Sequence, residues 1–373
     1  MIVIYGKYNS AVVYTDELES SAEGQIRALC DQPFTAGSNI SIMPDVHAGK
    51  GCAIGTTMTV NEFVVPCLVG VDIGCGMLTV RLKEKRINLP ELDSFIRENI
   101  PCGRKVRVRP HRGHGRINLE ALRCYRKIDS RRAKESLGTL GGGNHFIEID
   151  KDDEENLYLV IHTGSRNPGL QVAEFYQKKA YDSVGGRTQT KIPYELSPLM
   201  GDDKNDYLAD MKFMQQFAAL NRRIIKEEIL DAMKLDEEDE FTTVHNYIDT
   251  DEMILRKGAV SAKTGERLLI PINMRDGSLI CTGLGNESMN CSAPHGAGRK
   301  YSRTDAESSF TLSQFKASME GIFTTSVSRE TLDECPMAYK DMNDILQNIK
   351  DTVEVDKIIK PIYNFKASER GKK

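Results

Sequence analysis

The placement of the histidines constrains this chain more than any other feature of its sequence. Seven histidines are present, and five of them follow an apolar or strand-like run in company with Gly, Asn, Asp, Ser or Thr: His47, His145, His162, His245 and His295. Metal ligands in α/β enzymes are commonly delivered in this way, from strand ends onto a shared cleft. The pattern therefore predicts a mixed α+β fold with sheets and helices around one central cleft.

The composition is that of a globular enzyme. Of the 373 residues, 40% are hydrophobic and 28% are charged, with a net charge of −4. The sequence contains no apolar run of membrane-spanning length, so no membrane association is expected. The first residues lack the layout of a secretory signal, and the nine cysteines form no disulfide framework. Reduced thiols indicate a cytoplasmic protein.

The organisation of the chain predicts one domain over residues 1–373, because there is no repeat and no low-complexity linker. Apolar runs predict strands at 63–71 and 77–82. Helices are predicted at 118–134 and at 206–233, and the second of these is expected to be core or cover and not part of a site. Residues 367–373 are expected to form a disordered tail.

Five residues form a candidate metal-binding set. Asp72 and Cys75 lie three positions apart among glycines, so both can turn toward one point. With His145, His162 and His245 they offer one carboxylate, one thiolate and three imidazoles, more than a single four-coordinate site uses. A Cys75 that bridges two metals would use the whole set, and two metals suit phosphoryl chemistry. Such ligands would accept Mn or Zn, whereas any one of these histidines alone could be a hydrogen-bonded core residue.

A second constellation surrounds His295 in residues 291–299 (CSAPHGAGR). Its small residues would let a large ligand approach the backbone, and a histidine there can act as a nucleophile, a metal ligand or a base. Arg299 offers a planar fork that suits phosphate. The chain has no GxxxxGK[ST] phosphate loop, and its glycine run at 141–143 is not a dinucleotide fingerprint. Any nucleotide would therefore be bound by another arrangement.

The segment 101–134 is strongly basic. Between residues 104 and 134 there are twelve Lys or Arg residues against two acids, Glu120 and Asp129. This excess indicates a surface for a polyanion such as RNA. The alternative is a solvated face whose partner acids lie elsewhere, for example in the acidic run 236–240.

Several long motifs make the chain resemble the RtcB-type RNA ligases, and the resemblance extends over nearly the whole sequence. They are MPDVH at 43–47, VDIGCG at 71–76, GNHF at 143–146, HTGSR at 162–166, HN at 245–246, PHGAGR at 294–299 and PIYNFK at 361–366. Members of that family join RNA ends by using GTP and manganese. The resemblance implies an RtcB-like fold around a metal and nucleotide cleft.

The resemblance also implies a role for individual residues. Asp72, Cys75 and His145 match the ligands of one Mn²⁺ ion, and Cys75, His162 and His245 match those of a second ion. His295 matches the histidine that becomes guanylylated, and Asp45 matches a plausible orienter or proton donor. The residues that match GTP contacts are Asn144, His145, Phe146, Glu148, His245, Asn246, Pro271, Ile272, Asn273, Met274, Ser278, His295, Gly296, Ala297, Gly298, Tyr339 and Lys366.

The implied reaction joins an RNA 3′-phosphate or 2′,3′-cyclic phosphate end to a 5′-hydroxyl end, in tRNA splicing or RNA repair. Glu148 would read the guanine edge, and RNA would lie against Arg104, Arg107, Arg109, Arg166 and Arg299. A monomer is expected, and the need for an archease-type activator stays open. The nucleotide loop departs from the family, which commonly has Gly-Ser where Ile272 and Asn273 stand.

Two other functions compete with this one. A two-metal phosphodiesterase that acts on RNA ends would use the same five ligands but would need no covalent guanylate on His295. A non-catalytic RNA-binding module would use only the basic segment and would be indifferent to the loss of Cys75.

Overall fold

The computed structural model describes residues 1–185 and 192–367, and within these ranges three β-sheets and a set of helices make up the fold. The strands are β1 (Ile2–Tyr5), β2 (Ser10–Val13), β3 (Ile40–His47), β4 (Ile54–Thr59), β5 (Gly76–Leu82), β6 (Phe146–Lys151), β7 (Leu157–Thr163), β8 (Glu237–Val244), β9 (Asn246–Asp249), β10 (Ile254–Lys257), β11 (Ala259–Ser261), β12 (Arg267–Asn273), β13 (Gly277–Gly283), β14 (Ser292–Pro294) and β15 (Val353–Lys366).

The helices lie between these strands and before the last one. They are α1 (Ser20–Cys30), α2 (Pro66–Val69), α3 (Leu89–Asn99), α4 (Ser130–Ser136), α5 (Arg166–Val184), α6 (Gly201–Met233), α7 (Arg303–Ser309), α8 (Leu312–Ser318) and α9 (Met342–Asn348). Within the described ranges, none of them has both the length and the apolar character needed to cross a bilayer. The predicted mixed α+β fold is confirmed.

The seven-stranded sheet carries most of the candidate site. Its order is β12-β13-β15-β6-β7-β5-β8, and every neighbouring pair is antiparallel. Strand β7 is buried along its whole length, since neighbours cover both of its faces. In the register, Phe146 lies opposite His162, and Gly76 lies opposite both Thr163 and Val244. Four neighbouring strands therefore bring residues 75, 145, 162 and 245 to the same end of the sheet.

The other two sheets supply the remaining side of the site. The six-stranded sheet has the order β1-β2-β3-β4-β10-β9, and β3 ends at His47. Strands β11 and β14 form a small sheet that ends at Pro294, directly before His295. The cleft predicted between the sheets therefore has candidate residues on all three of them.

Two predicted elements are wrong. Residues 63–71 form no strand: Val64 makes one isolated bridge, and Pro66 then begins the short helix α2. Proline lacks the N–H that a central ladder needs, but it is well tolerated in the first turn of a helix. Residues 118–134 are not one helix either. They form short 3₁₀ turns followed by α4, because the Asn118 and Asp129 side chains each cap a new start.

The predicted helix at 206–233 is confirmed and is longer than expected, since α6 begins at Gly201. The predicted disordered tail at 367–373 lies outside the described residues except for Ala367, which is buried.

Candidate metal centre and the adjoining cavities

The five predicted metal ligands come together in two groups that share Cys75. One group is Asp72, Cys75 and His145, and the other is Cys75, His162 and His245; in each, the potential ligand atoms lie within 4.8 Å of one another. The Cys75 Sγ lies 3.3 Å from His145 Nε2 and 3.4 Å from His162 Nε2. Each group could hold a metal ion through one shared thiolate.

Hydrogen bonds orient two of the imidazoles toward this point. His145 Nδ1 lies 2.9 Å from the carbonyl oxygen of Leu140, and His162 Nδ1 lies 3.1 Å from that of Asn144. A carbonyl can only accept, so Nδ1 of His162 carries the proton and donates. Nε2 of His162 is then left with a lone pair for a cation, as is usual for metal-binding histidines. Nδ1 of His145 also lies 3.1 Å from Nη1 of Arg166, and its Nε2 lies 3.0 Å from Oδ2 of Asp72, its partner in the first group.

The electrostatics of the cluster suit a bound cation. Burial lowers the pKa values of His162 and His245 well below the usual range, so both rings stay neutral. Burial, with the charge of Asp72, raises the pKa of the Cys75 thiol far above its usual value. A metal ion would reverse that preference, because a coordinating thiol loses its proton.

A buried side chain of helix α6 binds the segments that carry two of the candidate ligands. Arg222 is 2% exposed and donates from Nη1 to the carbonyl oxygens of Gly74, at 2.9 Å, and Thr163, at 2.8 Å. These carbonyls flank Cys75 and His162 in the chain, so one buried guanidinium joins the segments that carry two candidate ligands. The prediction that this helix contributes nothing to the site missed Arg222. The sequence feature that could have indicated Arg222 is a charged residue on the apolar face of an amphipathic helix.

His295 lies directly beside the cluster. Its ring centroid is 4.9 Å from that of His245, and its Nδ1 is 2.7 Å from Oδ2 of the fully buried Asp45. Because Nδ1 donates to the carboxylate, Nε2 is left as the basic nitrogen. The glycine collar is needed for this fit, since a Cβ at Gly298 would lie 2.8 Å from the carbonyl oxygen of Asp45.

A cavity of about 510 Å³ opens in front of His295. Thirteen of the predicted nucleotide contacts line it: Asn144, Phe146, Glu148, Pro271, Ile272, Asn273, Met274, His295, Gly296, Ala297, Gly298, Tyr339 and Lys366. The other four predicted contacts, His145, His245, Asn246 and Ser278, do not line it. Two of these belong to the metal cluster, Asn246 accepts from the Gly258 N–H, and Ser278 is fully buried.

Glu148 and Lys366 occupy the same part of this cavity. Glu148 is 3% exposed and accepts a hydrogen bond from Asn364 Nδ2 at 2.5 Å. Burial raises the pKa of Glu148 to about 7, while the bond from Asn364 and the charge of Lys366 oppose that rise. A carboxylate held this way can accept from the N–H groups of a ligand.

Known proteins resemble this chain along most of its length. A family profile described as tRNA-splicing ligase RtcB matches residues 25–367. The chain belongs to the RtcB family. It is 32% identical over 378 residues to the RNA-splicing ligase RtcB of Escherichia coli (strain K12), covering 91% of this chain and 92% of that protein. It is 30% identical over 404 residues to the tRNA-splicing ligase RtcB of Aeropyrum pernix, covering 82% and 83%.

A second cavity of this RtcB family member, of about 550 Å³, adjoins the metal cluster. Asp72 and His145 line it. It is also lined by cationic residues, which are Arg104, Lys105, Arg132, Arg166 and Arg303, and Nη1 of Arg166 lies 3.1 Å from Nδ1 of His145. The basic segment therefore reaches the candidate metal centre. Arg303 also lines the first cavity, so the two cavities meet.

The five arginines predicted to contact RNA lie in different surroundings. Arg104 and Arg166 line the second cavity. Arg107 lines neither cavity and donates to the carbonyl oxygens of Leu137 and Gly138 and to Glu228. Arg109 is exposed away from both cavities, and Arg299 lies in the wall of the first. The geometry thus offers two of the five directly to a ligand beside the metal cluster.

The acidic partners of the basic segment in this RtcB chain lie mostly on α6, with Glu135 of α4 paired to Arg131, and not in the acidic run 236–240. Arg116 pairs with Glu227 and Arg107 with Glu228. The acidic run instead pairs with Arg81, Lys83, Lys226 and Arg267. The acidic run was the example given for the alternative interpretation of the basic segment, and it does not pair with that segment, because β8 carries it to the edge of the seven-stranded sheet.

Proposed function

We propose that this chain is a GTP- and manganese-dependent RNA ligase that joins a 3′-phosphate or 2′,3′-cyclic phosphate end to a 5′-hydroxyl end. The observation that carries the proposal is His295, whose Nδ1 is held by Asp45 and whose ring lies between the metal cluster and the 510 Å³ cavity. The names of the relatives support an RNA substrate.

In the first step, Nε2 of His295 attacks the α-phosphorus of GTP. The new P–N bond displaces pyrophosphate, and the ring acquires positive charge. The Asp45 carboxylate stabilises that charge through the proton that Nδ1 keeps throughout. The two Mn²⁺ ions, held by Asp72, Cys75, His145, His162 and His245, would neutralise phosphate charge and align the reacting groups.

In the later steps the guanylate moves to RNA. Where the RNA ends in a 2′,3′-cyclic phosphate, water first attacks that phosphorus and breaks its bond to the 2′-oxygen, which leaves a 2′-hydroxyl and a 3′-phosphate. An oxygen of the RNA 3′-phosphate attacks the phosphorus on His295, which breaks the P–N bond and forms a mixed anhydride with GMP. The 5′-hydroxyl of the second RNA end then attacks the 3′-phosphorus, loses its proton, and GMP leaves. Arg104 and Arg166 would hold the RNA phosphates in the second cavity, beside Asp72 and His145.

Selectivity for guanine would come from Glu148 and Lys366. A carboxylate accepts from the N–H groups on the guanine edge, whereas an ammonium donates to an acceptor on the base. The ring of Tyr339 and the ring of Phe146 line the same cavity and would contact the base faces. The proposal extends to a monomeric, single-domain enzyme in the cytoplasm. The nine free thiols support the cytoplasmic location.

The decisive experiment is covalent labelling. The purified protein is incubated with Mn²⁺ and α-³²P-GTP and is separated on a denaturing gel beside His295→Ala. We expect a labelled protein band for the parent chain and none for His295→Ala at equal metal content. If the parent chain binds metal but takes no label, the ligase mechanism fails and the two-metal phosphodiesterase gains support.

A further inference from the structure

A buried carboxylate that the reaction scheme does not use lies in the wall of the 510 Å³ cavity. Glu334 is 2% exposed and contacts four side chains that also line that cavity. They are Lys366 Nζ at 2.5 Å, the Tyr339 hydroxyl at 2.6 Å, Arg303 Nη1 at 2.8 Å and Arg299 Nη1 at 3.3 Å. One carboxylate therefore joins three separate stretches of the cavity wall.

Glu334 is ionised across the working pH range. Burial alone would raise its pKa, but the charges of Lys366, Arg303 and Arg299 lower it to about 2. Buried ion pairs add little net stability compared with apolar packing of the same volume. A stability role is therefore a weak reason for this cluster, and its place in the wall of the cavity points instead to ligand recognition.

The position of Lys366 relative to the two acids is the central point. Its ammonium pairs with Glu334 at 2.5 Å and lies 6.0 Å from the centroid of the Phe146 ring. Lysine has a flexible four-carbon stem, so without Glu334 the ammonium can turn toward another carboxylate. Glu148 lines the same cavity, and the charge of Lys366 already acts to lower its pKa. A direct pair between Lys366 and Glu148 would occupy both groups that face the nucleobase.

We propose that Glu334 is a positioning residue that sets nucleobase selectivity by holding Lys366 apart from Glu148. The inference rests on the proposed function, because it assumes that the base of GTP lies against Glu148 and Lys366. Glu334 also fixes Tyr339, whose hydroxyl donates to it while Arg299 lies 5.1 Å over the ring. The cavity is thereby preorganised with the Glu148 carboxyl as acceptor, the ammonium of Lys366 as a held donor and the ring of Tyr339 as a fixed aromatic face.

The test is Glu334→Gln, which keeps the size of the side chain and removes its charge. Labelling of the protein is measured with α-³²P-GTP and α-³²P-ATP, and the affinities for GMP and AMP are measured by calorimetry. We expect the KM for GTP to rise about tenfold or more, kcat to change much less, and the preference for guanine over adenine to fall by a similar factor.

A matched control and a second variant separate positioning from folding. Asp210 is a buried carboxylate on α6, distant from the cavity, which accepts from the Tyr176 hydroxyl at 2.8 Å. Asp210→Asn should lower the thermal midpoint without changing the GTP to ATP ratio. Glu334→Asp keeps the charge on a shorter stem, and it should recover part of the guanine preference that Glu334→Gln loses.

A double variant tests the proposed competition directly. In a Lys366→Met background no ammonium can reach Glu148, so adding Glu334→Gln should leave the guanine preference unchanged. An unchanged preference in the single Glu334→Gln variant, with only a lower thermal midpoint, would overturn the inference and make Glu334 a structural anchor. Absence of labelling in the parent chain is a different outcome, since it would remove the proposed function itself.

Discussion

Asp45→Asn tests the geometry of the nucleophile most directly. The Asp45 carboxylate is fully buried, and its Oδ2 lies 2.7 Å from Nδ1 of His295. An asparagine fits the same space but carries no charge. If its oxygen faces His295, a neutral hydrogen bond replaces a charge-assisted one. If its NH₂ faces the ring, Nδ1 must accept, the proton moves to Nε2, and the nucleophile is lost.

The magnitude follows from these two cases. A hydrogen bond to a charged group contributes about 1.5–3 kcal/mol and a neutral one about 0.5–1.5 kcal/mol, so the first case costs about 1.5 kcal/mol. That corresponds to about a tenfold slower attack on GTP. In the second case Nε2 carries the proton and has no lone pair for the attack, so protein in that arrangement takes no label. We therefore expect labelling of His295 to slow by at least about tenfold.

The assay is the single-turnover rate of protein labelling with α-³²P-GTP at saturating Mn²⁺. The metal content and the thermal midpoint are measured in parallel, and neither should fall, since Asp45 belongs to neither metal group and the substitution removes a buried charge. Asp210→Asn, at a buried carboxylate remote from the cavities, should label at the parent rate. Labelling of Asp45→Asn at the parent rate would refute the assignment of Asp45 as the residue that orients His295.

Three further predictions concern other parts of the molecule. Cys75→Ser removes the ligand that both groups share, so elemental analysis should show metal lost from both, whereas His162→Ala should spare the group of Asp72, Cys75 and His145. Asp150 is fully buried, and neither of its carboxyl oxygens has a hydrogen-bond partner among the residues that the structure describes. Burial together with the charge of Glu148 raises the pKa of Asp150 well above the usual range. The stability that the neutral Asp150 carboxyl contributes is therefore present below about pH 4 and is lost as the pH rises toward the raised pKa. Asp150→Asn should therefore raise the free energy of unfolding more at pH 8 than at pH 5, by about 1–3 kcal/mol, and thermal midpoints at the two pH values check this. Gly141 has φ +86°, and a Cβ there would overlap the Arg166 guanidinium, so Gly141→Ala should raise the KM for RNA while His295 still takes label. The control is Gly115→Ala, because a Cβ at Gly115 would have no described atom within 4 Å. Equal RNA KM values for the two variants would contradict this placement of Arg166.

Much of the candidate site was predictable because its residues stand in short local patterns. Asp72 and Cys75 lie among glycines, and the histidines lie at the ends of apolar strands, so backbone conformation and hydrophobic periodicity were enough to select them. The α6 helix was predictable for the same reason. The predicted helix at 118–134 failed because two side-chain caps interrupt it, and caps compete with periodicity at single residues.

The sequence by itself determined the family, the five candidate ligands and the histidine that faces them, since each belongs to a motif only a few residues long. The family resemblance named Asp45 as an orienter or proton donor, and the tertiary structure supplies its contact with His295 across 250 positions in the chain. Tertiary structure alone decided that Arg222 supports the cluster from a helix predicted to be core, and that Glu334 joins residues 299, 303, 339 and 366. Such partners depend on how distant segments pack against each other, and the spacing of neighbouring residues in the sequence does not specify those contacts.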